Sequence, residues 1–165
     1  MGKPRMLQGL KVVDFTWAIA GPFTARYLAD NGATVVKVES VRRVDAMRTF
    51  QPYKDRKPGI NRSAVYAAMN SSKLSLGLNM SLPEAREIAK KLIAWADVLV
   101  ENFAPDAMSN WGLSYDDIVK FNKDLVMISM SSMGATGPLA HYHGLGFHIQ
   151  GFAGFCNITG FPDRS

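Results

Sequence analysis

The sequence predicts an α/β protein built on a mostly parallel sheet. Three observations lead there. Short β-branched runs alternate with segments of helical period, the first strand, helix and strand follow one another through short turns, and distinctive turns close several strands at one end. A strand–helix–strand unit with short turns implies a parallel pair joined by a right-handed crossover.

The first strand is Leu10-Lys11-Val12-Val13-Asp14-Phe15. Gly21-Pro22 then opens a helix from Phe23 to Asn31, in which Phe23, Tyr27 and Leu28 recur at helical spacing and Gly32 is the stop. Ala33 to Glu39 is the second strand. Residues 40–62 form a long, basic, polar loop containing Pro52 and Pro58. A loop of that length within a compact domain is usually functional or disordered.

Regular structure resumes with a helix over Ala64 to Met69 and a strand of alternating pattern over Leu74 to Leu78. The next helix is the clearest: Ser81 is placed to cap it, Pro83 suits its first turn and Glu84 completes a capping box. Ile88, Leu92 and Trp95 form its expected apolar stripe, opposite Arg86, Lys90 and Lys91. Asp97 to Glu101 is a strand, a short helix surrounds Asp106 to Asn110, Ser114 caps another through Phe121, and Leu125 to Met130 is a strand. Beyond Ser131 the chain is rich in glycine, with a helix expected near Phe147 to Phe155. It ends in what reads as a loop, Phe161 to Ser165, so a longer polypeptide is expected.

Composition narrows the function. Hydrophobic residues at 47% can fill the core of one domain, and charged residues make up 20%. Nothing approaches the apolar run needed to span a bilayer, and Met1 to Met6 leads into a polar-interrupted strand rather than a signal core. The protein therefore reads as cytoplasmic and not membrane-bound. The single cysteine, Cys156, fits a reducing compartment and is expected to be buried and inert.

The net charge of +5 favours an anionic partner. The densest basic cluster, Arg42, Arg43, Arg48, Lys54, Arg56, Lys57 and Arg62, is spread along one loop and broken by Asp45 and Asp55. That suits a phosphate-rich small ligand, or a merely solvated loop, better than the continuous basic stripe of a nucleic-acid binder. His141, His143 and His148 lack a neighbouring carboxylate or thiol and make an incomplete ligand set, so no metal is expected.

Turns at the carboxyl edge of a parallel sheet are where ligands bind, and amides at a helix start attract phosphate. Three such turns stand out: Asp14 to Pro22, Glu101 to Pro105, and Ser129 to Pro138. None is a Walker loop, and no G-x-G-x-x-G follows the first strand, which removes the main support for nucleoside-triphosphate or nicotinamide binding. Asp14 reads as an acceptor for backbone N–H groups of its own turn rather than as a general base. Trp17 reads as a core aromatic rather than an adenine platform.

The ordered set Leu10 to Thr16, Ala20-Gly21-Pro22, Leu28 to Ala33, Val35 to Glu39, Asn70-Ser71-Ser72-Lys73, Ala96 to Phe103 and Ser129 to Gly134 resembles the class III (CaiB/BaiF) CoA-transferases, over essentially the whole chain. The resemblance implies an open, mostly parallel, Rossmann-like α/β sheet with helices on both faces. Residues 1–165 would be the N-terminal part of the large CoA-binding domain. Full-length relatives interlock as ring-shaped homodimers, or related heteromers, and move CoA from an acyl-CoA to a small carboxylic acid through an aspartyl-CoA thioester, with no metal. Carboxylate nucleophilic catalysis splits one hard acyl exchange into easier steps.

By the same resemblance, Ala18, Ile19 and Ala20 match the turn whose backbone meets the coenzyme. Lys73 matches a lysine near the CoA phosphates, and Asn102 and Phe103 match the turn along the pantetheine arm. Ser40 replaces an arginine that stacks on adenine in some relatives, so Arg42 or Arg43 would supply that contact; Asn110 replaces a basic residue. The nucleophilic aspartate is expected beyond Ser165, and Asp163 falls in the loop before it. A related racemase would carry a histidine–acid pair where this chain has Leu145 and Gly146, and a non-catalytic CoA-binding subunit is the remaining alternative.

Overall fold

The computed structural model describes residues 5–142, 144–161 and 163. Five parallel strands, β1 (Lys11–Asp14), β2 (Thr34–Glu39), β3 (Leu74–Gly77), β4 (Val98–Glu101) and β5 (Val126–Ser129), lie in the order β3-β2-β1-β4-β5. The chain winds outward from β1 through β2 to β3, then crosses back to place β4 on the other side of β1. The reversal creates a crevice between the carboxyl ends of β1 and β4, the position where open α/β sheets bind ligands. Register is fixed by Val13, which pairs with Val36 on one side and Leu99 on the other.

Helices cover both faces, as expected. Helix α1 (Ala20–Asp30) packs Ala25 and Ala29 on Val12, Val35 and Val100. On the opposite face, α3 (Pro83–Trp95), α4 (Ala107–Asn110) and α5 (Tyr115–Ile118) close over Val13, Phe15, Val38 and Leu99. Adjacent strand residues such as Val12 and Val13, or Leu99 and Val100, are both fully buried because each face has its own helical layer. Burying each such side chain stabilises the fold by about 1.5–3 kcal/mol.

The helices differ in detail from the sequence pattern. Helix α1 starts at Ala20, before Gly21-Pro22, and a proline is tolerated there because first-turn N–H groups have no intrahelical acceptor. Its Phe23 and Tyr27 point outward and stack edge to face at 5.2 Å. In α3 the buried stripe is Ala85, Ala89 and Ile93, one position off the expected Ile88 and Trp95, which are exposed. Small alanines let this helix approach the sheet closely.

The expected capping box does not form. Leu82 occupies the N-cap, and the Ser81 hydroxyl donates instead to Asn79 Oδ1 at 2.8 Å. Ser114 caps α5 as predicted, accepting from the Asp117 N–H, though the helix ends at Ile118. The expected helix near Phe147 to Phe155 is two, α6 (Gly146–Phe152) and α7 (Phe155–Ile158), separated at Gly154, whose φ of 80° is left-handed. Cys156 is exposed rather than buried, on a short helix in which no residue is buried.

The 40–62 loop is ordered by side chains together with one antiparallel backbone bridge, Tyr53 to Ser63. It contains two 3-10 turns, Ala46–Thr49 and Lys54–Arg56, and helix α2 (Ala64–Met69) follows it. Arg48 joins Glu39 through Nε–Oε1 at 2.5 Å and Nη2–Oε2 at 3.0 Å, and its guanidinium lies 3.7 Å above the Tyr66 ring. Tyr66 donates to Glu39 Oε2 at 2.8 Å. Burial alone would raise the Glu39 carboxyl, yet the bonds from Arg48 and Tyr66 outweigh it and hold the group below its ordinary range. Burial, then Glu39, push the Tyr66 hydroxyl well above its own.

Candidate functional site

The first turn begins where β1 ends. Asp14, fully buried, accepts from the Thr16 N–H at 2.8 Å and the Thr16 hydroxyl at 2.5 Å, the structural role expected of it. Thr16 in turn explains Gly21: a Cβ there would lie 2.4 Å from the Thr16 Cβ. The backbone then passes through Trp17 and Ala18, the latter at a φ of 63°. A non-glycine residue there carries a cost of about 1–2 kcal/mol, so the surroundings must impose it.

Side chains from three other segments do so. The Asn102 amide, just past β4, accepts from the Trp17 N–H at 2.7 Å and donates to the Trp17 carbonyl at 2.8 Å. Lys37, from β2, donates to the Thr16 carbonyl at 2.6 Å. Asp45, from the basic loop, receives the Ala18 N–H on both oxygens at 3.2 Å. The turn is thereby stitched across the crevice between β1 and β4. Ala18, Ile19 and Ala20 remain exposed, and the N–H groups of Ala20 and Gly21 open the helix without intrahelical acceptors.

Beside this turn is a cleft of about 520 Å³ at the carboxyl ends of β1, β2 and β4. Phe15, Leu78, Met80 and Trp111 line its apolar part, and Trp17 and Phe103 meet edge to face at 5.8 Å on its wall. Arg42, Arg43 and Arg86 bring three guanidinium groups to it from two elements. Arg43 lies over the Trp17 ring at 5.2 Å, and Arg86 is steadied by its Nε bond to the Met80 carbonyl at 2.9 Å. Glu39 also borders the cleft, but Arg48 already neutralises it. An elongated pocket with an aromatic wall and three cations suits a ligand that carries phosphate and a planar ring.

Not every expected site residue faces this space. Arg42, Arg43 and Phe103 line one cleft, with Ser40 beside them. Asn102 acts on the Trp17 peptide groups. Lys73 turns inward, with 2% of its side chain exposed, and donates to Asp14 Oδ2 at 2.7 Å, the Pro22 carbonyl at 2.8 Å and Asn70 Oδ1 at 3.0 Å. An ammonium has three donors, so none is left for a phosphate. Burial draws this ammonium below its ordinary range, with Asp14 opposing. Trp17 is a cleft wall rather than a core residue.

Arg86 and Asp45 were not singled out by sequence. Arg86 reads there as the polar face of α3, and Asp45 as a break in a basic run; both are brought to the site only by the fold. His143 lies outside the described residues. Among the described residues no group of three or more His, Cys, Asp and Glu could hold a metal ion, and no helix is long and apolar enough to cross a membrane.

The family profile of CoA-transferase family III matches residues 7–165. The chain belongs to that family. Among its CoA-transferase relatives is the succinate–glutarate CoA-transferase of Agrobacterium fabrum, 36% identical over 95% of this chain and 40% of that protein. Another is the acetyl-CoA:oxalate CoA-transferase of Acetobacter aceti, 37% identical over 94% of this chain and 39% of that protein. A crystal structure of a CaiB/BaiF family protein from Brucella suis superposes with a TM-score of 0.89 at 36% identity, covering 99% of this chain and 43% of that one. The chain thus spans about two fifths of the length of the curated family III proteins it matches. The α/β sheet expected of the family is the one observed.

Proposed function

We propose that this chain supplies the coenzyme A site of a CoA-transferase that moves CoA from an acyl-CoA to a small carboxylic acid, with residues 1–165 forming the N-terminal part of a larger CoA-binding domain. The observation that carries this reading is the cleft in which Arg42, Arg43 and Arg86 meet the Trp17–Phe103 wall at the sheet's switch point. Membership of family III supplies the chemistry. In this reading the arginines take the phosphates and the adenine lies against Trp17 under Arg43. The pantetheine arm runs past Phe103 toward the exposed Ala18–Ile19–Ala20 turn. Lys73 and Asn102 serve that turn from behind.

The transferring nucleophile, an aspartate that forms the CoA thioester, is placed beyond Ser165, and an interlocked dimer or related heteromer would complete the site. Isothermal titration with CoA, and in parallel with NAD, tests the reading. CoA binds saturably and NAD does not compete; Arg43→Ala and Arg86→Ala each weaken CoA by about tenfold, the scale of a lost charge-assisted contact. Equal binding of NAD, or CoA binding indifferent to both substitutions, would overturn it.

A further inference from the structure

We infer that Asp45 is a positioning residue for the acyl-CoA turn, holding Ala18 in its left-handed conformation and tying that turn to the loop that bears Arg43. The inference rests on the reading of the cleft as a coenzyme A site.

Four consecutive backbone groups of the turn are each taken by a side chain. Lys37 donates to the Thr16 carbonyl at 2.6 Å, Asn102 brackets both polar groups of Trp17, and Asp45 accepts from the Ala18 N–H. Only the last of these acts on the residue with positive φ, 63° at Ala18. Asp45 is fully buried, so its bonds are not exchanged for water. Lys37 Nζ stands 3.8 Å from Asp45 Oδ2 and offsets its charge, itself 1% exposed.

Asp45 is equally committed on its own side. Its Oδ1 accepts from the Met47 N–H at 2.9 Å, starting the 3-10 turn, and its own N–H reaches Glu39 Oε1 at 3.3 Å. Two residues earlier, Arg43 covers the Trp17 ring. Arg43, Trp17, Ala18 and Asp45 therefore close a ring of contacts between the cleft wall and the exposed turn. A backbone conformation that its own residue disfavours, held by a buried charge, marks a geometry maintained for a task.

The test is Asp45→Asn in the intact protein, read in two ways. Amide hydrogen exchange is followed at Ala18, with Val13 and Leu99 in the buried strands as internal controls. Affinity is measured for CoA and for the adenosine bisphosphate that forms its nucleotide half. The expected result is exchange at Ala18 about tenfold faster, with unchanged controls. CoA affinity falls about tenfold while the bisphosphate changes less than about twofold. Adding Ala18→Gly restores most of the CoA affinity, since glycine takes positive φ unaided.

Unchanged exchange at Ala18 overturns the role of Asp45 in the turn. Parallel losses for both ligands, or no rescue by Ala18→Gly, overturn its role in CoA positioning. If the unsubstituted protein binds neither ligand, the coenzyme reading fails and the ligand half of the inference with it; the exchange data still decide what holds Ala18. Should Asp45→Asn not fold, Asp45→Glu keeps a carboxylate to face Lys37 but is one methylene too long for the Ala18 N–H, leaves the Lys37 bond to Thr16 in place, and is read identically.

Discussion

Asn102 grips Trp17 by both of its backbone polar groups, accepting from its N–H at 2.7 Å and donating to its carbonyl at 2.8 Å. The two residues are carried past the ends of β4 and β1, so the bond pair spans the switch point of the sheet. Replacing Asn102 by alanine leaves two part-buried backbone groups without these partners. Asn102→Ala is expected to cost about 1–3 kcal/mol in urea unfolding. Asn102→Asp, which accepts but cannot donate, should lie between it and the unsubstituted protein.

Lys73 and Asp14 form a buried pair at 2.7 Å, with side chains 2% and 0% exposed. Removing one partner of such a pair strands a charge, so Lys73→Met should destabilise by about 3–5 kcal/mol. The same substitution would barely affect stability if the ammonium served an external phosphate. Urea unfolding separates the two.

Gly21 is fixed by crowding rather than by φ. An added Cβ meets the Thr16 side chain at 2.4 Å, and Thr16 is itself buried and bonded to Asp14. Gly21→Ala is expected to cost about 1–3 kcal/mol by overpacking. Pairing it with Thr16→Ser, which removes the methyl that stands 2.5 Å from the added Cβ, should return part of that loss in thermal unfolding.

Glu39 gives an acid-sensitive element. Its carboxyl is held below its ordinary value, so the folded state binds its proton less readily than the unfolded chain. The stability it contributes is fully present above the unfolded value and is lost as pH falls through the folded one. Stability measured by urea from neutral pH down into the acid limb should therefore fall more steeply for the parent than for Glu39→Gln, which cannot titrate. Parallel curves would show that Arg48 and Tyr66 do not favour the charged form.

The strands were legible because β-branched runs such as Val35 to Val38 have few alternatives once a crossover buries both faces. Helix α3 was legible in position but not in orientation. Periodicity weighs large side chains such as Ile88 and Trp95, whereas close packing on a sheet selects Ala85 and Ala89. Ser81 has the right identity for a cap, but Asn79 takes its hydroxyl, a competition that spacing alone does not reveal.

The site was legible where residues act near their own position in the chain, as Asp14 does on Thr16. It was not where partners are far apart in sequence. Asp45 reaches Ala18 across 27 positions and Lys73 reaches Asp14 across 59, and neither spacing has a local signature. Trp17 was misplaced for the same reason. The strand before it is buried, but Asn102 and Asp45 turn the backbone so that the indole forms a wall of the cleft.

The protein's three tryptophans supply the most direct test of where coenzyme A binds. Trp17 and Trp111 line the cleft, while Trp95 lies on the outer side of α3 beneath Lys11. Their indole N–H resonances can be followed separately by NMR as CoA is added. Saturable shifts of Trp17 and Trp111 with Trp95 unmoved are the predicted result. Silence at both cleft indoles, or a response confined to Trp95, would contradict the account.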